Sequence, residues 1–331
     1  SPPLLDFSAF YSGDVAKKQK LVEQVRDCCQ FNGFFQITNH AVPVALQQRV
    51  MAWNKKFFDL PLEEKKKVGK GANGADLNTW NRGYELLRSQ ILEEGTNPEL
   101  KEGFYVGNEI SKEHPYFVHK KLNSGPNVWP TEALGAEDVA DFKTTCLEYY
   151  YAVVQLAKDV LKMLALTLEL PESFFDEFAR DAVATMRLLH YPSQPGDSDE
   201  KLTRGIGAHT DFGAITLLLQ DEVDGLQVWD NDVKDWFDVV PTPNALVVNL
   251  GNLFMRWSND KYISNVHRVI NRSGRERYSI PVFFSGNPDY VIDCLPNCKP
   301  PDEPAKYPPI TVEEAVGGSY RESYGRAEKF K

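Results

Sequence analysis

Two histidines and one aspartate in this chain have the types and spacing of a metal-binding set. His209 and Asp211 form a His-x-Asp pair, and His267 follows in a distant part of the chain. Two imidazoles and one carboxylate cover one face of an octahedral ion and leave the opposite face open, as in mononuclear non-haem iron(II) sites. The segment looks extended, so alternation places His209 and Asp211 on one face and turns Thr210 away. An isolated His-x-Asp pair is also common on protein surfaces, and zinc hydrolysis is chemically conceivable with these ligands.

The second chemical signal is an arginine and a serine that follow His267. Arg277 lies ten residues after His267, and Ser279 lies two residues further, where the aromatic and β-branched run YSIPVFF begins. Alternation in this predicted strand places both side chains on one face. A guanidinium fits a carboxylate in a planar fork, and a hydroxyl adds one donor, so the pair suits the distal carboxylate of 2-oxoglutarate. A surface ion pair is the alternative for an arginine that stands alone, and a zinc hydrolase would leave the pair without a role.

The chain resembles the iron(II)- and 2-oxoglutarate-dependent oxygenases, in the branch that includes isopenicillin N synthase and the plant flavonoid dioxygenases. The phrases MRWSNDKYISNVHRVIN and FFSGNPDY are similar to those of filamentous-fungal members. The matching segments follow one another in the expected order nearly from end to end: GFFQITNHAVP (33–43), FFDLPLEEK (57–65), RGYE (82–85), HYPSQP (190–195), GIGAHTDFGAITLLLQD (205–221), GLQVW (225–229), VVNLGN (247–252), SNVHRV (264–269) and RYSIPVFF (277–284).

The resemblance implies roles for individual residues. It assigns the two histidines and the aspartate of the metal-binding set to iron(II). It also adds a tyrosine hydroxyl to the arginine and the serine that bind the far carboxylate of 2-oxoglutarate. The chain departs from the family at Leu189, where many relatives have an asparagine near the co-substrate, and at Asn252, where many have an aspartate. The implied iron ligands are His209, Asp211 and His267, and the implied co-substrate residues are Arg277, Ser279 and Tyr191.

The resemblance also implies an activity, the oxidation of a C–H bond in a small molecule with dioxygen and 2-oxoglutarate as co-substrates. Hydroxylation is the expected outcome, and desaturation, cyclisation or ring expansion can start from the same substrate radical. The fungal relatives suggest secondary metabolism, with pyrimidine salvage as an alternative. Two further hypotheses remain open. The chain could be an iron oxidase of the same fold that uses no 2-oxoglutarate, or a non-catalytic module that binds a small molecule.

Arg187 is a further candidate because it lies in the predicted strand 185–191, on the same face as Leu189 and Tyr191. We expect it to point into the same site, about 13 Å from Tyr191 at roughly 3.3 Å per residue. A buried guanidinium needs an anionic or carbonyl-rich partner. We therefore predict that Arg187 contacts the primary substrate, which would carry an anionic or carbonyl group. The alternative is that it pairs with a protein carboxylate and only shapes the pocket wall.

Composition limits the classes of partner. With 331 residues, 42% of them hydrophobic, the chain can form a substantial core, and its net charge of -10 argues against nucleic acid. No charged and apolar leader and no long apolar run is present, so we expect a soluble protein that does not enter the membrane. The five cysteines are odd in number and sparse, which favours core or loop thiols and a reducing cytoplasm over disulfides. We expect a monomer or a homodimer.

Periodicity predicts helices over 14–31, from Pro43 onward, over 136–168 and near 172–179. Many short β runs follow residue 185, as in a sandwich or jelly roll. The resemblance sharpens this to a mainly β fold with flanking helices around a double-stranded β-helix core. We predict an N-terminal region over 1–125 and a jelly-roll domain with its long bracing helix over 126–331, together one compact unit. Lys65, Lys66, Lys67 and Lys70 are interpreted as a solvated helix face.

Overall fold

The protein has three layers: a group of helices, a large β-sheet and a smaller β-sheet. The computed structural model describes residues 1–70, 80–194 and 204–317. Pro195, the last residue of the HYPSQP segment, lies outside the described residues. The helices cover one face of the large sheet, and the small sheet covers the other. The predicted mainly β fold with flanking helices is therefore confirmed.

The helices of the described residues are concentrated in the first half of the chain. Their bounds are α1 Ser8–Tyr11, α2 Val15–Phe31, α3 Val44–Phe58, α4 Leu62–Lys66, α5 Pro115–Val118, α6 Ala136–Thr167, α7 Asp176–Ala179 and α8 Asn252–Trp257. The strands are β1 Leu4–Asp6, β2 Phe34–Thr38, β3 Gly83–Glu85, β4 Glu102–Gly107, β5 Val183–Tyr191, β6 Ile206–His209, β7 Ile215–Gln220, β8 Leu226–Asp230, β9 Asp235–Asp238, β10 Leu246–Leu250, β11 His267–Val269, β12 Arg277–Gly286, β13 Val291–Ile292 and β14 Ile310–Thr311.

The large sheet has eight strands in the order β1-β2-β10-β7-β12-β5-β4-β3, and the small sheet has four in the order β6-β11-β8-β9. All pairs are antiparallel except β1 with β2. Strands from both predicted regions share the large sheet, because β2 pairs with β10 and β4 pairs with β5. The division near residue 125 stays a prediction, although hydrogen bonds in one sheet join the two sides of it.

The three long helices form where apolar residues recur at spacings of three and four. Asp14 caps α2 by accepting a hydrogen bond from the backbone N–H of Lys17 at 3.1 Å. Phe142, Cys146 and Tyr149 on α6 are fully buried, and this helix braces the large sheet as the sequence predicts. Near residues 172–179 only a short helix forms, and the periodicity argument missed α8, which directly follows β10.

Apolar side chains form two separate clusters, one on each face of the large sheet. The larger cluster fills the space between this sheet and the helices. The smaller cluster lies between the two sheets and includes Phe34, Leu189, Tyr191 and Val228. A cavity opens in this second layer, and its lining side chains come from both sheets. The space between the sheets is therefore where a ligand can be enclosed.

The interpretation of the lysine run as a solvated face is wrong for two of its four members. Lys65 is only 7% exposed, and its ammonium group donates hydrogen bonds to both carboxylate oxygens of Glu102 at 3.1 and 3.2 Å. Lys70 pairs with Glu85 at 2.8 Å. Both partners lie on strands of the large sheet, and helix periodicity contains no information about such distant contacts.

All five cysteines are free thiols, and Cys294 alone is partly exposed while the others are buried. The predicted core or loop thiols are thus confirmed. Across 1–70, 80–194 and 204–317, none of the helices combines the length and the apolar character that a membrane span requires.

Candidate active site

The two histidines and the aspartate meet at the edge of the cavity between the sheets. His209 ends β6, Asp211 follows it in the next turn, and His267 begins β11, directly opposite His209 in the antiparallel pair. Asp211 Oδ1 lies 3.4 Å from Nε2 of His209 and 3.2 Å from Nε2 of His267. One ligand atom of each residue lies within 4.8 Å of the other two, a spacing that one metal ion can bridge.

Backbone carbonyls fix both imidazole rings. Nδ1 of His209 contacts the carbonyl oxygen of Gly207 at 2.7 Å, and Nδ1 of His267 contacts that of Asn265 at 3.1 Å. A carbonyl oxygen only accepts, so each Nδ1 carries the hydrogen and each neutral ring keeps its lone pair on Nε2. This is the arrangement that orients histidine ligands toward a metal. The donor set therefore fits an iron(II) ion.

The electrostatics of the triad favour a charged aspartate. Burial by itself raises the pKa of Asp211, but the charge of His267 and hydrogen bonds with both histidines outweigh burial and hold it well below its usual range. Burial and the charge of His267 lower the pKa of His209. His267 responds in the opposite direction, because the Asp211 charge overcomes burial and raises its pKa.

Arg277, Ser279 and Tyr191 line the same cavity. Arg277 pairs with Tyr191 across β12 and β5, and its guanidinium lies 5.1 Å from the centre of the Tyr191 ring. The arginine is only 1% exposed. It donates to the carbonyl oxygen of Val223 at 3.2 Å and to the side-chain oxygen of Gln220 at 2.8 Å, and Nη1 has no hydrogen-bond partner among the described residues. This buried cation can accept a carboxylate ligand.

Arg187 lies farther along the same strand and lines the cavity, 4% exposed. Its Nη2 donates to Glu85 and, at 3.3 Å, to the side-chain oxygen of Gln90. The pairing with a protein carboxylate is thus part of the structure, as the alternative held. Because Arg187 also borders the cavity, a role in substrate contact stays a prediction.

Glu85 is the centre of a buried charge network behind Arg187. Lys101 lies 3.3 Å from Glu85 and donates to Gln90 at 2.8 Å. Burial raises the pKa of Glu85, but the charges of Arg187, Lys70 and Lys101 outweigh burial and hold the pKa well below its usual range. Burial and the nearby charge of Arg187 lower the pKa of Lys101 to about 8. The network fixes the wall on which Arg187 stands.

The two departures from the family pattern have different environments. Leu189 is buried and lines the cavity, so this position presents an apolar side chain to the cavity. Asn252 lies outside the cavity lining, where its backbone N–H donates to the Asp211 carbonyl oxygen at 2.8 Å. Its side-chain oxygen accepts from Ser264 at 2.9 Å. Asn252 therefore supports the turn that carries Asp211 without contacting the carboxylate.

Several residues of the site were missed in the sequence. Thr216 and Asn249 donate hydrogen bonds to Oδ2 of Asp211, Gln90 holds Arg187, and Phe34 packs edge-on against His267 with ring centres 5.3 Å apart. One signal was available, because Asn249 is a polar residue inside the apolar run LVVNL. A polar side chain in a buried strand needs a partner.

Comparisons with known proteins agree with this site. Residues 2–132 match the family described as non-haem dioxygenase in morphine synthesis N-terminal, and residues 182–286 match the 2OG-Fe(II) oxygenase superfamily. The chain is 63% identical over 331 residues to the 2-oxoglutarate-Fe(II) type oxidoreductase hxnY of Emericella nidulans, which covers 100% of this chain and 93% of that protein. The chain belongs to the 2OG-Fe(II) oxygenase superfamily. This member is an oxidoreductase that uses iron(II) and 2-oxoglutarate, as the resemblance implied.

Two other relatives of this oxygenase have informative names. Clavatol oxidase claD of Penicillium crustosum is 37% identical over 330 residues, 97% of this chain and 96% of that one. A crystal structure of the full-length Neurospora crassa enzyme in complex with alpha-KG, which is 2-oxoglutarate, and 5-formyluracil has a TM-score of 0.83. Its sequence is 30% identical, and the match covers 97% of this chain and 96% of that chain. The same enzyme has also been crystallised with thymine. These matches support the predicted jelly-roll core.

Proposed function

We propose that His209, Asp211 and His267 hold the iron(II) of this oxygenase. The observation that carries the proposal is the convergence of two Nε2 atoms and one carboxylate oxygen within 4.8 Å at the edge of the cavity. Both imidazoles have their Nδ1 atoms engaged by backbone carbonyls, so both Nε2 atoms remain for the metal. Two nitrogens and one oxygen on one side leave the cavity side open for the co-substrates.

Arg277, Ser279 and Tyr191 bind the 5-carboxylate of 2-oxoglutarate in this proposal. Arg277 is a buried cation, and its Nη1 has no hydrogen-bond partner among the described residues. A carboxylate would supply the missing charge and accept from the guanidinium and the two hydroxyls. Burial raises the pKa of Tyr191, so its hydroxyl stays protonated and can donate.

When bound, iron(II) and 2-oxoglutarate together activate dioxygen for the oxidation of a substrate C–H bond. The protein supplies binding, orientation and exclusion of water. Arg277 anchors one end of 2-oxoglutarate, and the histidines set the position of the other end. The apolar lining, which includes Phe34, Leu218 and Leu226, excludes water. The shape of the cavity and a few polar side chains then determine how the substrate is oriented.

The substrate is a small metabolite that carries a carbonyl or anionic group, which Arg187 contacts. Arg187 and Gln90 are polar groups in an otherwise apolar part of the cavity wall. The Neurospora relative binds thymine and 5-formyluracil, both of which carry ring carbonyls, and this supports a carbonyl-bearing heterocycle. Clavatol oxidase supports a secondary metabolite as the second candidate. Hydroxylation is the expected outcome.

The proposal can be tested by loading the protein with iron(II) without oxygen and then screening small heterocyclic and aromatic carbonyl compounds. The expected result is that a substrate stimulates succinate release and that this release requires 2-oxoglutarate. Oxidised product formed without succinate release would indicate the oxidase alternative.

His209→Ala and His267→Ala should abolish turnover and reduce bound iron. His119→Ala is the matched control, because His119 is exposed and lies far from the triad in the sequence. Full turnover in either triad variant with verified iron would disprove the ligand assignment.

A further inference from the structure

We propose that Thr216 and Asn249 position Asp211 so that only its Oδ1 atom is offered to the metal. The inference rests on the proposed role of Asp211 as an iron ligand. Thr216 Oγ1 donates to Asp211 Oδ2 at 2.7 Å, and Asn249 Nδ2 donates to the same oxygen at 2.8 Å. Oδ1 is the oxygen that faces Nε2 of both histidines. The two carboxylate oxygens thus have separate partners.

The two donors are neighbours in the large sheet. Asn249 on β10 lies directly opposite Thr216 on β7, so both side chains point to the same face. Phe34 and Phe283 continue this row on the adjacent strands, and all four residues line the cavity. Thr216 and Asn249 are buried, so bulk water competes little for their hydrogen bonds to Asp211. Their position is set by the register of four strands, β2, β10, β7 and β12.

The backbone around Asp211 is also held by hydrogen bonds, from the segment that follows β10. The N–H of Asn252 donates to the Asp211 carbonyl oxygen at 2.8 Å, and the N–H of Gly251 donates to Ala214 at 2.8 Å. The segment that follows β10 therefore holds the main chain of the aspartate while Asn249 holds its side chain. Rotation of the carboxylate would break the two hydrogen bonds to Oδ2.

This arrangement has a chemical consequence. A carboxylate can bind a metal through one oxygen or through both. With Oδ2 occupied by two donors, Asp211 contributes a single ligand atom, and a coordination position that a second oxygen would occupy stays available. Removal of a residue that hydrogen-bonds to a metal ligand commonly lowers metal affinity or activity by about 10–100-fold.

The test measures the affinity of the whole chain for Mn(II) in the absence of oxygen. The electron paramagnetic resonance signal of the free ion reports binding, so no turnover is needed. Thr216→Val and Asn249→Leu keep side-chain volume and remove one donor each, and we expect Mn(II) binding about tenfold weaker in each. Thr216→Ser should restore affinity. Thr185→Val is the matched control, because Thr185 lies opposite Phe283 on the next strand of the same row but outside the cavity lining. It should bind Mn(II) like the wild type.

A double-mutant cycle separates this inference from the proposed function. Asp211→Ala alone should weaken Mn(II) binding, and normal binding in that variant would refute Asp211 as a ligand. If Thr216 acts through Asp211, adding Thr216→Val to Asp211→Ala should cause no further loss. Wild-type affinity in Thr216→Val, or an equal loss with and without Asp211, would overturn the positioning role. This cycle decides the matter even if Asn249→Leu fails to fold.

Discussion

The guanidinium of Arg187 donates a hydrogen bond to the carboxylate of Glu85, 102 residues away in the sequence, inside the wall of the cavity. Glu85 also contacts Lys70 and Lys101, so a single carboxylate is shared by three cationic side chains. The Tyr105 ring lies 4.7 Å below the guanidinium and limits its movement. Arg187 is therefore held by the protein before any substrate arrives, which lowers the entropic cost of a substrate contact.

Arg187→Met should weaken binding of the primary substrate about tenfold or more, since one charged contact contributes at least about 1.4 kcal/mol. The affinity for 2-oxoglutarate should not change, because Arg277 lies opposite Tyr191, four residues along β5 from Arg187. Apparent KM values for both compounds measure this. Arg268→Met is the control, because Arg268 stacks on Trp236 and lies outside the cavity lining. Equal effects on both KM values, or none, would remove Arg187 from the substrate site.

Arg277→Gln should raise the apparent KM for 2-oxoglutarate by roughly a factor of ten or more. The variant loses a charge-assisted contact, and such losses commonly cost about 2–5 kcal/mol when the partner charge is left buried. Ser279→Ala should have the same effect to a smaller extent. Succinate formation at varied 2-oxoglutarate concentration provides the measurement. An unchanged KM in Arg277→Gln would mean that this arginine holds a different carboxylate.

Gly251→Ala should disturb the turn that carries Asp211. A Cβ atom at this position would lie 2.1 Å from the carbonyl oxygen of Gly213 and 3.2 Å from that of Asp211, so the backbone must shift. We expect a loss of about 1–3 kcal/mol in the free energy of unfolding, together with weaker metal binding. Denaturant unfolding and Mn(II) titration test this. Gly135→Ala, where a Cβ would meet open space, should leave Mn(II) binding unchanged.

The stability of the protein should depend on pH through His190. Burial lowers the pKa of this imidazole, but contacts with Glu102 and Glu276 outweigh burial and raise it above its ordinary value of 6.5. The protonated ring therefore stabilises the folded state fully below about pH 6.5, and this contribution disappears as pH rises through the raised pKa. His190→Gln should destabilise the protein more at pH 6 than at pH 9 in urea unfolding. An equal loss of unfolding free energy at both pH values would contradict a raised pKa for His190.

Local patterns in the sequence determined much of this protein. Three- and four-residue spacing marked α2, α3 and α6, because a helix that packs on a sheet must bury one stripe. The run YSIPVFF identified β12 even though Pro281 interrupts it. The His-x-Asp pair with the distant histidine predicted an iron(II) site, and Arg277 with Ser279 predicted a carboxylate site, because these residue types are the ones that bind such ligands.

The tertiary structure alone decided which distant residues support those groups. Thr216 and Asn249 meet Asp211 because the register of β7 and β10 places them opposite each other, and register arises from pairing between strands far apart in sequence. The burial of Lys65 and the sharing of Glu85 among three cations arose in the same way. A local pattern specifies which face of an element is apolar, whereas the partner of a buried polar group is fixed only when the elements pack together.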